Sequence, residues 1–319
     1  MRAMRVHELG KPLVMDDIAP PEPGPGQVRL RVRACGVNFA DTLIVNGTYQ
    51  EKFEPPFSPG MEICGTVDAL GPDAAGPEPG TRVVAYGGAG GFAEYALVPA
   101  DRCAPVPGAM SDVEAAAFPV AYGTSHLALA HKAQMQPGET LLVLGAAGGV
   151  GLTAVELGKL MGARVIACAR GAKKLAVAGR AGADYLLDSD SADIRAEVKA
   201  LGGADVVYDP VGGAQFDAGL RALKPDGRIL PIGFASGTIP QVPANILLVK
   251  NISVLGFYWG GYAVLRPDVV RDSFATLMGW FADGKLRPHV SHTLPLDQAD
   301  EALELLRSRR STGKVVVAI

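Results

Sequence analysis

The chain has 319 residues, a length at which one hydrophobic core usually divides into two domains of roughly 150 residues each. Hydrophobic residues make up 48% and charged residues 20%, as expected for a soluble globular protein. The formal net charge is -3 and no basic tract is present, which disfavours nucleic acid or an anionic membrane as a partner. No apolar run approaches the roughly 20 residues that span a bilayer, and the N-terminus lacks the apolar core of a signal peptide.

The four cysteines, Cys35, Cys64, Cys103 and Cys168, are dispersed along the chain and form no CxxC pair. Disulfide scaffolds and structural zinc sites both need clustered cysteines or a secretory context. We therefore expect four reduced thiols in a cytoplasmic protein.

The first third of the chain predicts short β-strands separated by Gly and Pro. Residues 27–34 alternate Val28, Leu30 and Val32 with three arginines, the pattern of a strand with one face in solvent. Several short strands at this spacing predict a compact β-barrel. The other predicted strands of this region are residues 13–18, 65–70, 81–86 and 92–99.

After Pro105 the pattern changes to alternating helices and strands. Ser111 followed by Glu114 is a capping-box pair that predicts a helix over residues 111–118, and helical patterning continues over residues 122–131. The alternation beyond residue 140 predicts a doubly wound parallel sheet with right-handed crossovers. Its predicted strands are the apolar run from residue 140 and residues 164–169, 184–187, 204–208, 227–232 and 251–257; its predicted helices include residues 173–181, 192–201 and 216–223.

The tail predicts helices over residues 269–283 and 296–307, a proline-bounded piece at residues 289–294, and a last strand at residues 315–319. A lone terminal strand needs a sheet to join, so we expect the tail to return to the β-barrel. The predicted domains are residues 1–118 with 268–319, and residues 119–267.

The segment TLLVLGAAGGVGLTAVELGK, residues 140–159, has the pattern of a dinucleotide-binding strand, glycine turn and helix. Small residues let the backbone approach a pyrophosphate, and the N–H groups and dipole at the helix start stabilise its negative charge. The strand before and the helix after favour this interpretation over glycines that merely close a tight turn. The predicted contacts in this turn are Ala147, Gly148, Gly149 and Val150.

The end of the second parallel strand predicts which nicotinamide cofactor is bound. An acidic residue there accepts hydrogen bonds from the ribose of NAD, whereas an Arg accommodates the 2′-phosphate of NADP. Here Arg170 follows the strand, Lys173 and Lys174 come close behind, and no carboxylate is in reach until Asp184. Three cations suit a phosphate, although an ordinary solvated basic loop is the alternative. We predict NADPH, with Arg170 and Lys174 among its contacts.

The motifs of the whole chain resemble the quinone oxidoreductase (zeta-crystallin) branch of the medium-chain dehydrogenase/reductase superfamily. One position departs from the signature of that branch, because Glu156 stands where it usually has Gln. The resemblance implies an α/β fold in which a GroES-like β-barrel is split around a Rossmann domain. The matching runs are residues 36–41, 59–65, 122–124, 138–159, 208–213 and 312–315.

The resemblance also bears on metal binding. Zinc-dependent relatives carry Cys where this chain has Asn38 and His where it has Met61. An amide and a thioether cannot replace a thiolate and an imidazole on zinc. The cysteine cluster of their structural zinc is missing too, and Cys35 with Cys64 alone would make a poor site. We predict no metal.

Without a metal, a flavin motif or a paired nucleophile, the chemistry must come from the nicotinamide. Hydride transfer from NADPH to a quinone or an α,β-unsaturated carbonyl develops charge on the acceptor oxygen, which calls for hydrogen-bond donors. The resemblance implies Asn38, to orient the acceptor or water, and Tyr49, to donate a proton or hydrogen bond. An equal alternative for Tyr49 is that it only lines a loop. Asp41 is expected either to anchor the hydrogen bonds of the cleft or to cap the helix at Thr42, and we favour the cap.

Six further residues are predicted to contact the cofactor. Thr124 resembles the contact that the family makes to the nicotinamide ribose. Val211, Gly212, Phe234 and Phe257 follow strands whose carboxyl ends bind ligands in open α/β sheets. For Phe234 and Phe257, packing in the core or against a dimer partner is an equal alternative. Arg309 comes from the tail, where its neighbour Arg310 is an alternative. These residues are Thr124, Val211, Gly212, Phe234, Phe257 and Arg309.

Two classes of function stay open from the sequence. The first is an NADPH-dependent reductase of quinones or enones, within which an enoyl thioester is an alternative acceptor. The second is an NADPH-binding protein with little turnover. The resemblance further implies a homodimer in which residues 251–255 pair with their copy, and an apolar edge without inward charge or central Pro fits this.

Overall fold

A computed structural model describes residues 1–319, which form fifteen strands and eleven helices. The strands are β1 (Arg2–Arg5), β2 (Val14–Asp17), β3 (Gln27–Val37), β4 (Glu62–Leu70), β5 (Arg82–Tyr86), β6 (Tyr95–Pro99), β7 (Cys103–Pro105), β8 (Thr140–Leu144), β9 (Arg164–Ala169), β10 (Tyr185–Asp188), β11 (Ala204–Asp209), β12 (Leu223–Pro231), β13 (Ser253–Val254), β14 (Val290–Pro295) and β15 (Lys314–Ala318). The helices are α1 (Phe39–Val45), α2 (Asp112–Ala116), α3 (Pro119–His126), α4 (Gly149–Leu160), α5 (Gly171–Arg180), α6 (Ile194–Ala200), α7 (Gly213–Ala222), α8 (Ala244–Lys250), α9 (Trp259–Leu265), α10 (Pro267–Ala282) and α11 (Ala299–Arg307).

The chain divides into two units, residues 1–120 with 278–319, and residues 121–277. The second boundary lies inside α10, ten residues beyond the start of the tail that the sequence pattern suggested at 268. The reason is that α10 continues unbroken through this region. Its buried residues Val270, Ser273, Phe274 and Leu277 all precede the boundary.

The first unit is organised around β3, the longest strand of the chain. Val28, Leu30 and Val32 point into the apolar core, while Arg31 and Arg33 are exposed, as the alternation in the sequence predicted. The seven-stranded sheet has the order β14-β15-β3-β4-β5-β7, and β6 also pairs with β3. Strand β15 pairs antiparallel with β3, so the tail completes this sheet and places Lys314 beside the carboxyl end of β3.

The second unit contains a six-stranded parallel sheet of order β10-β9-β8-β11-β12-β13. This is the arrangement of a doubly wound dinucleotide-binding fold, whose order reverses between its first and fourth strands. Here that point lies between β8 and β11, and all five residues of β8 are buried. The doubly wound parallel sheet predicted from the sequence is therefore confirmed.

Several elements differ from the sequence pattern. The strand predicted over residues 251–257 is confined to Ser253–Val254, because Asn251 takes a left-handed φ of 51° and the chain leaves the sheet after Leu255. Helix α8 has no fully buried residue, and only Ile246 and Leu247 pack in part against the core, so its apolar signal is weak. The proline-bounded piece near residue 290 is strand β14, paired parallel with β15. No helix is both long and apolar enough to cross a membrane.

Candidate functional site

The glycine turn between β8 and α4 is built for close backbone packing. Gly145 takes a φ of +58°, a conformation that favours glycine. A Cβ on Gly151 would lie 2.2 Å from the carbonyl oxygen of Gly145, so a side chain there would force the helix away from the turn. The first N–H groups of a helix have no partner within it and carry the positive end of its dipole. The turn therefore fits a pyrophosphate.

The predicted contacts of this turn occupy its tip. Gly148 is the exposed N-cap of α4, and Gly149 and Val150 are the first two residues of the helix. Ala147 is buried, so only its backbone is available to a ligand. Thr124, on α3, is also buried, at 8% exposure.

Arg170 directly follows β9 and is the N-cap of α5. Its guanidinium is exposed and makes no hydrogen bond or ion pair, which leaves it available to a ligand anion. Lys174 lies one turn further along α5 and is half-buried.

A carboxylate lies closer to Arg170 than the sequence suggested. Asp188 ends β10, the strand beside β9, and its Oδ1 accepts hydrogen bonds from the backbone N of Gly171 at 3.0 Å and of Asp190 at 3.2 Å. These N–H groups lower the pKa of Asp188, so it is ionised. The expectation that no carboxylate is in reach before Asp184 counted distance along the chain only. Asp184 itself is held by Lys159, at 2.8 Å.

The loops that follow β11 and β12 carry three predicted contacts and one residue that the prediction missed. Val211 and Gly212 directly follow β11, and Phe234, 38% exposed, lies in the loop after β12. Asp209, the last residue of β11, is fully buried and accepts hydrogen bonds from the backbone N of Val211 and Gly212. The signal that could have revealed it is an acidic residue at a strand end, three residues before the pair Gly212-Gly213.

The aromatic residues after β13 divide between packing and exposure. Phe257 is half-buried and packs edge-to-face on Tyr262, with ring centroids 5.3 Å apart. Trp259 is 7% exposed and covers Gly123, where a Cβ would lie 2.8 Å from its indole nitrogen. Tyr258 is 40% exposed. Phe234 and Tyr258 are thus more accessible than Phe257 and Trp259, and of the two predicted contacts Phe234 and Phe257 the former is the more exposed.

Asn38 lies in the first unit, where its side chain joins a buried polar cluster with Glu62 and Lys314. The Lys314 ammonium donates to Asn38 Oδ1 at 2.7 Å, to Glu62 Oε2 at 2.7 Å and to the Val37 carbonyl at 3.1 Å. The Asn38 amide nitrogen donates to Glu62 Oε2 at 3.0 Å and to the Gly36 carbonyl at 3.4 Å. Both amide hydrogens are therefore used inside the protein, and one lone pair of Oδ1 is left to accept.

Asp41 supports this cluster from the first turn of α1. The helix begins at Phe39 with Asn38 as its N-cap, so the start expected at Thr42 is wrong. Asp41 completes a capping box from the third helical position by accepting from the backbone N of Asn38 at 2.7 Å, and it also accepts from that of Gly60 at 3.3 Å. Burial raises the pKa of Asp41 to about 7, against the lowering effect of these N–H groups and of Lys314.

Two other predicted residues lie at the surface of the same unit. Tyr49 is half-buried in the turn that follows α1. Arg309 is exposed at the end of α11 with a positive φ of 55°, and the guanidinium of its neighbour Arg310 donates to Ser308 Oγ at 3.0 Å.

The residues at the position of the catalytic zinc in the zinc-dependent relatives do not fit a metal. The ammonium of Lys314 already lies against the oxygen of Asn38, so a cation is present beside this residue. Cys64 follows Met61 by three residues, but burial raises the pKa of its thiol to about 12 and so opposes formation of the thiolate that zinc binds. No group of three or more His, Cys, Asp or Glu side chains is arranged to hold a metal ion.

Comparison with known proteins extends these observations to the whole chain. The zinc-binding dehydrogenase family model matches residues 149–282, and the alcohol dehydrogenase GroES-like domain model matches residues 24–108. The chain is 43% identical over 323 residues to the quinone oxidoreductase-like protein 2 homolog of Nematostella vectensis, which covers 99% of this chain and 88% of the relative.

Solved structures agree with this match. The quinone oxidoreductase of Thermus thermophilus, described alone and as its NADPH complex, is 37% identical and has a TM-score of 0.87, with 100% of both chains covered. That of Escherichia coli, complexed with NADPH, is 28% identical and has a TM-score of 0.93 over 100% of both chains. The chain belongs to the quinone oxidoreductase branch of the medium-chain dehydrogenase/reductase superfamily.

Membership of this oxidoreductase family confirms both the resemblance and the predicted fold class. The GroES-like match covers strands β3 to β7, and the dehydrogenase match covers the second unit from α4 onwards. The dehydrogenase model carries a zinc-binding name. In this chain, Asn38 and Met61 stand where the zinc-dependent relatives have their Cys and His ligands.

Proposed function

We propose that this chain is an NADPH-dependent reductase that transfers hydride to a quinone or a related α,β-unsaturated carbonyl without a metal or flavin. The observation that carries the proposal is the exposed, unpaired Arg170 at the end of β9 in the same sheet as the glycine turn. The Thermus thermophilus and Escherichia coli quinone oxidoreductases, both described in complex with NADPH, support the choice of cofactor.

The second unit would hold the cofactor along the carboxyl edge of its sheet. The backbone N–H groups of the turn at Gly148 would hold the pyrophosphate, since the small residues of the turn let it approach the backbone. Arg170 and Lys174 bind the 2′-phosphate, with the ionised Asp188 fixing the start of α5 that carries them. Val211 and Gly212 bind the nicotinamide ribose. When bound, NADPH supplies the hydride.

The first unit would supply the hydrogen bonds for the acceptor. Tyr49 donates to the acceptor oxygen on which negative charge develops, and this stabilises the transition state. Asn38 orients a water or a hydroxyl through the remaining lone pair of its Oδ1. Lys314 and Glu62 hold the Asn38 amide at both ends, so its orientation is set before any ligand arrives. No step requires a metal ion.

An assay of NADPH oxidation with 1,4-benzoquinone, a crotonyl thioester and a simple enal tests this function. We expect turnover with the quinone or the enal and quenching of tryptophan fluorescence by NADPH alone. Turnover confined to the thioester would replace the acceptor class. If NADPH quenches the fluorescence but no acceptor is reduced, the protein binds NADPH without turnover, and the proposed reductase function is contradicted.

We also propose that the chain forms a homodimer through the edge of its parallel sheet at β13. Strand β13 is the last strand of that sheet and has one edge without a partner. The helices that precede and follow it in the chain carry unusually exposed apolar side chains, a feature typical of interaction sites. These are Leu248 and Val249 on α8, 79% and 75% exposed, and Val264 and Leu265 on α9, 69% and 74% exposed.

A further inference from the structure

Asp209 is a buried carboxylate that has no cation beside it. It ends β11 with 0% exposure, and its Oδ1 accepts from the backbone N of Val211 at 2.8 Å and of Gly212 at 3.0 Å. Its Oδ2 accepts from the same Gly212 N at 3.1 Å. Burial raises the pKa of Asp209 to about 6, although these N–H groups lower it. A buried charge costs stability unless it is compensated, so an acid here needs a reason beyond packing.

The two loops at this end of the sheet are bonded to each other along their backbones. The carbonyls of residues 209, 210 and 211 accept in turn from N–H groups of the loop after β12, and the loop returns a carbonyl to Gly213. The bonds are Ile232 N to Asp209 O at 2.7 Å, Ala235 N to Pro210 O at 3.1 Å, Ser236 N to Val211 O at 2.9 Å and Gly213 N to Thr238 O at 3.2 Å. The two loops are therefore linked along their backbones, and the Asp209 carboxylate holds the turn at Val211 and Gly212 that begins the loop after β11.

That turn is conformationally demanding and adjoins the glycine turn. Gly212 has a φ of +73°, and a Cβ on it would lie 2.7 Å from the carbonyl oxygen of Thr238. On the other side, a Cβ on Gly145 would lie 2.9 Å from the Cγ2 of Val211. Val211 is thus seated against the pyrophosphate turn, at the point where the strand order reverses.

We infer that Asp209 is a positioning residue for the nicotinamide half of the cofactor, acting through the turn at Val211 and Gly212. Both carboxylate oxygens are occupied by backbone N–H groups, so Asp209 acts through the loop rather than by touching the ligand. The 2′-phosphate of the adenosine half is assigned to other residues, Arg170 and Lys174. The inference rests on the proposed NADPH binding and adds that the two halves of the ligand depend on different side chains.

The test compares NADPH with adenosine 2′,5′-bisphosphate, a fragment that lacks the nicotinamide half. Asp209→Asn keeps the shape of the side chain but turns an amide NH₂ toward the loop N–H groups, so at least one hydrogen bond to a charged acceptor is lost. We expect the Kd of NADPH, measured by calorimetry, to rise about tenfold while that of the bisphosphate stays unchanged. Asp209→Ser, which retains a single acceptor, should show the same selective loss.

Asp205→Asn is the matched control, because Asp205 is the second residue of β11 and lies near the end of the strand opposite to Asp209. Its carboxylate accepts from Thr140 N and Lys224 Nζ, each at 2.7 Å. We expect this variant to bind both ligands as the wild type does.

The outcomes separate the inference from the proposed function. Wild-type protein that binds neither ligand would overturn the proposed function and the inference with it. Unchanged NADPH affinity in the Asp209 variants, or equal loss of both ligands, would overturn the inference alone. Failure of both variants to fold would also overturn it, because Asp209 would then serve the fold.

Discussion

Lys314 places a buried ammonium between Glu62 and Asn38. Removing one partner of a buried ion pair typically costs about 3–5 kcal/mol, since the other charge stays buried without compensation. We expect Lys314→Met to lower the free energy of unfolding by about 3 kcal/mol in urea denaturation. The double variant Lys314→Met with Glu62→Gln should lose less, because no charge is left unpaired. A double variant that is less stable than Lys314→Met would show that the pair itself is not what matters.

Tyr49 is the proposed donor to the acceptor oxygen. A positioned proton donor contributes about 10²–10⁴-fold to rate, so Tyr49→Phe should lower kcat at least about 10²-fold. The Kd of NADPH should not change, since Tyr49 is assigned to the acceptor. Tyr95→Phe is a suitable control, because Tyr95 lies on β6 of the same unit and packs against Arg29 of β3. Equal kcat values for both variants would favour the alternative, in which Tyr49 only lines its loop.

The pKa of Asp41 is shifted upward by burial, whereas an ion pair shifts the pKa of a surface carboxylate downward. Its pKa is raised by burial from 3.8 to about 7, so the folded state binds the proton more tightly than the unfolded chain. The stability from this group is therefore fully present below about pH 3.8 and is lost as the pH rises through about 7. We expect the unfolding free energy of wild type minus that of Asp41→Asn to fall between about pH 4 and pH 7. Urea titrations across this range measure it, and a difference that grows with pH would contradict the assignment.

At the scale of single elements, the strands with a simple burial pattern could be predicted from the sequence. Strand β3 alternates because one face packs on the core, and β8 is apolar throughout because both faces of a parallel sheet are covered. The glycine turn could be predicted because only small residues fit between Gly145 and Gly151. These signals are local, because the backbone conformation and packing at each position decide which residues fit there.

Other features depend on contacts that a linear pattern does not contain. Asp188 comes near Arg170 only because β10 pairs with β9. Lys314 meets Asn38 only because the last strand of the chain pairs with β3, and the sequence gives no sign that a Lys in a C-terminal strand is buried. Helix α8 escapes prediction for the opposite reason, since only Ile246 and Leu247 pack against the core and both stay partly exposed.

At the scale of the whole molecule, the apolar side chains on α8 and α9 bear on the state of assembly. We expect a light-scattering mass near twice the 33.1 kDa of the chain. Leu248→Asp combined with Val264→Asp should shift this mass toward that of one chain, because a charge would be buried in the proposed interface. Leu9→Asp, at an exposed leucine outside this region, is the control. A monomeric wild type would contradict the dimer.

The central claim, an NADPH-dependent reductase, depends most directly on Arg170. The decisive measurement is the ratio of kcat/KM for NADPH to that for NADH, with 1,4-benzoquinone as acceptor, in wild type and in Arg170→Asp. We predict a ratio well above one for the wild type and a fall of roughly 10²-fold in the variant, since a charge-assisted contact is replaced by repulsion. Arg180→Asp, at the other end of α5, should leave the ratio unchanged. A wild type that prefers NADH, or a preference that survives Arg170→Asp, would contradict the account.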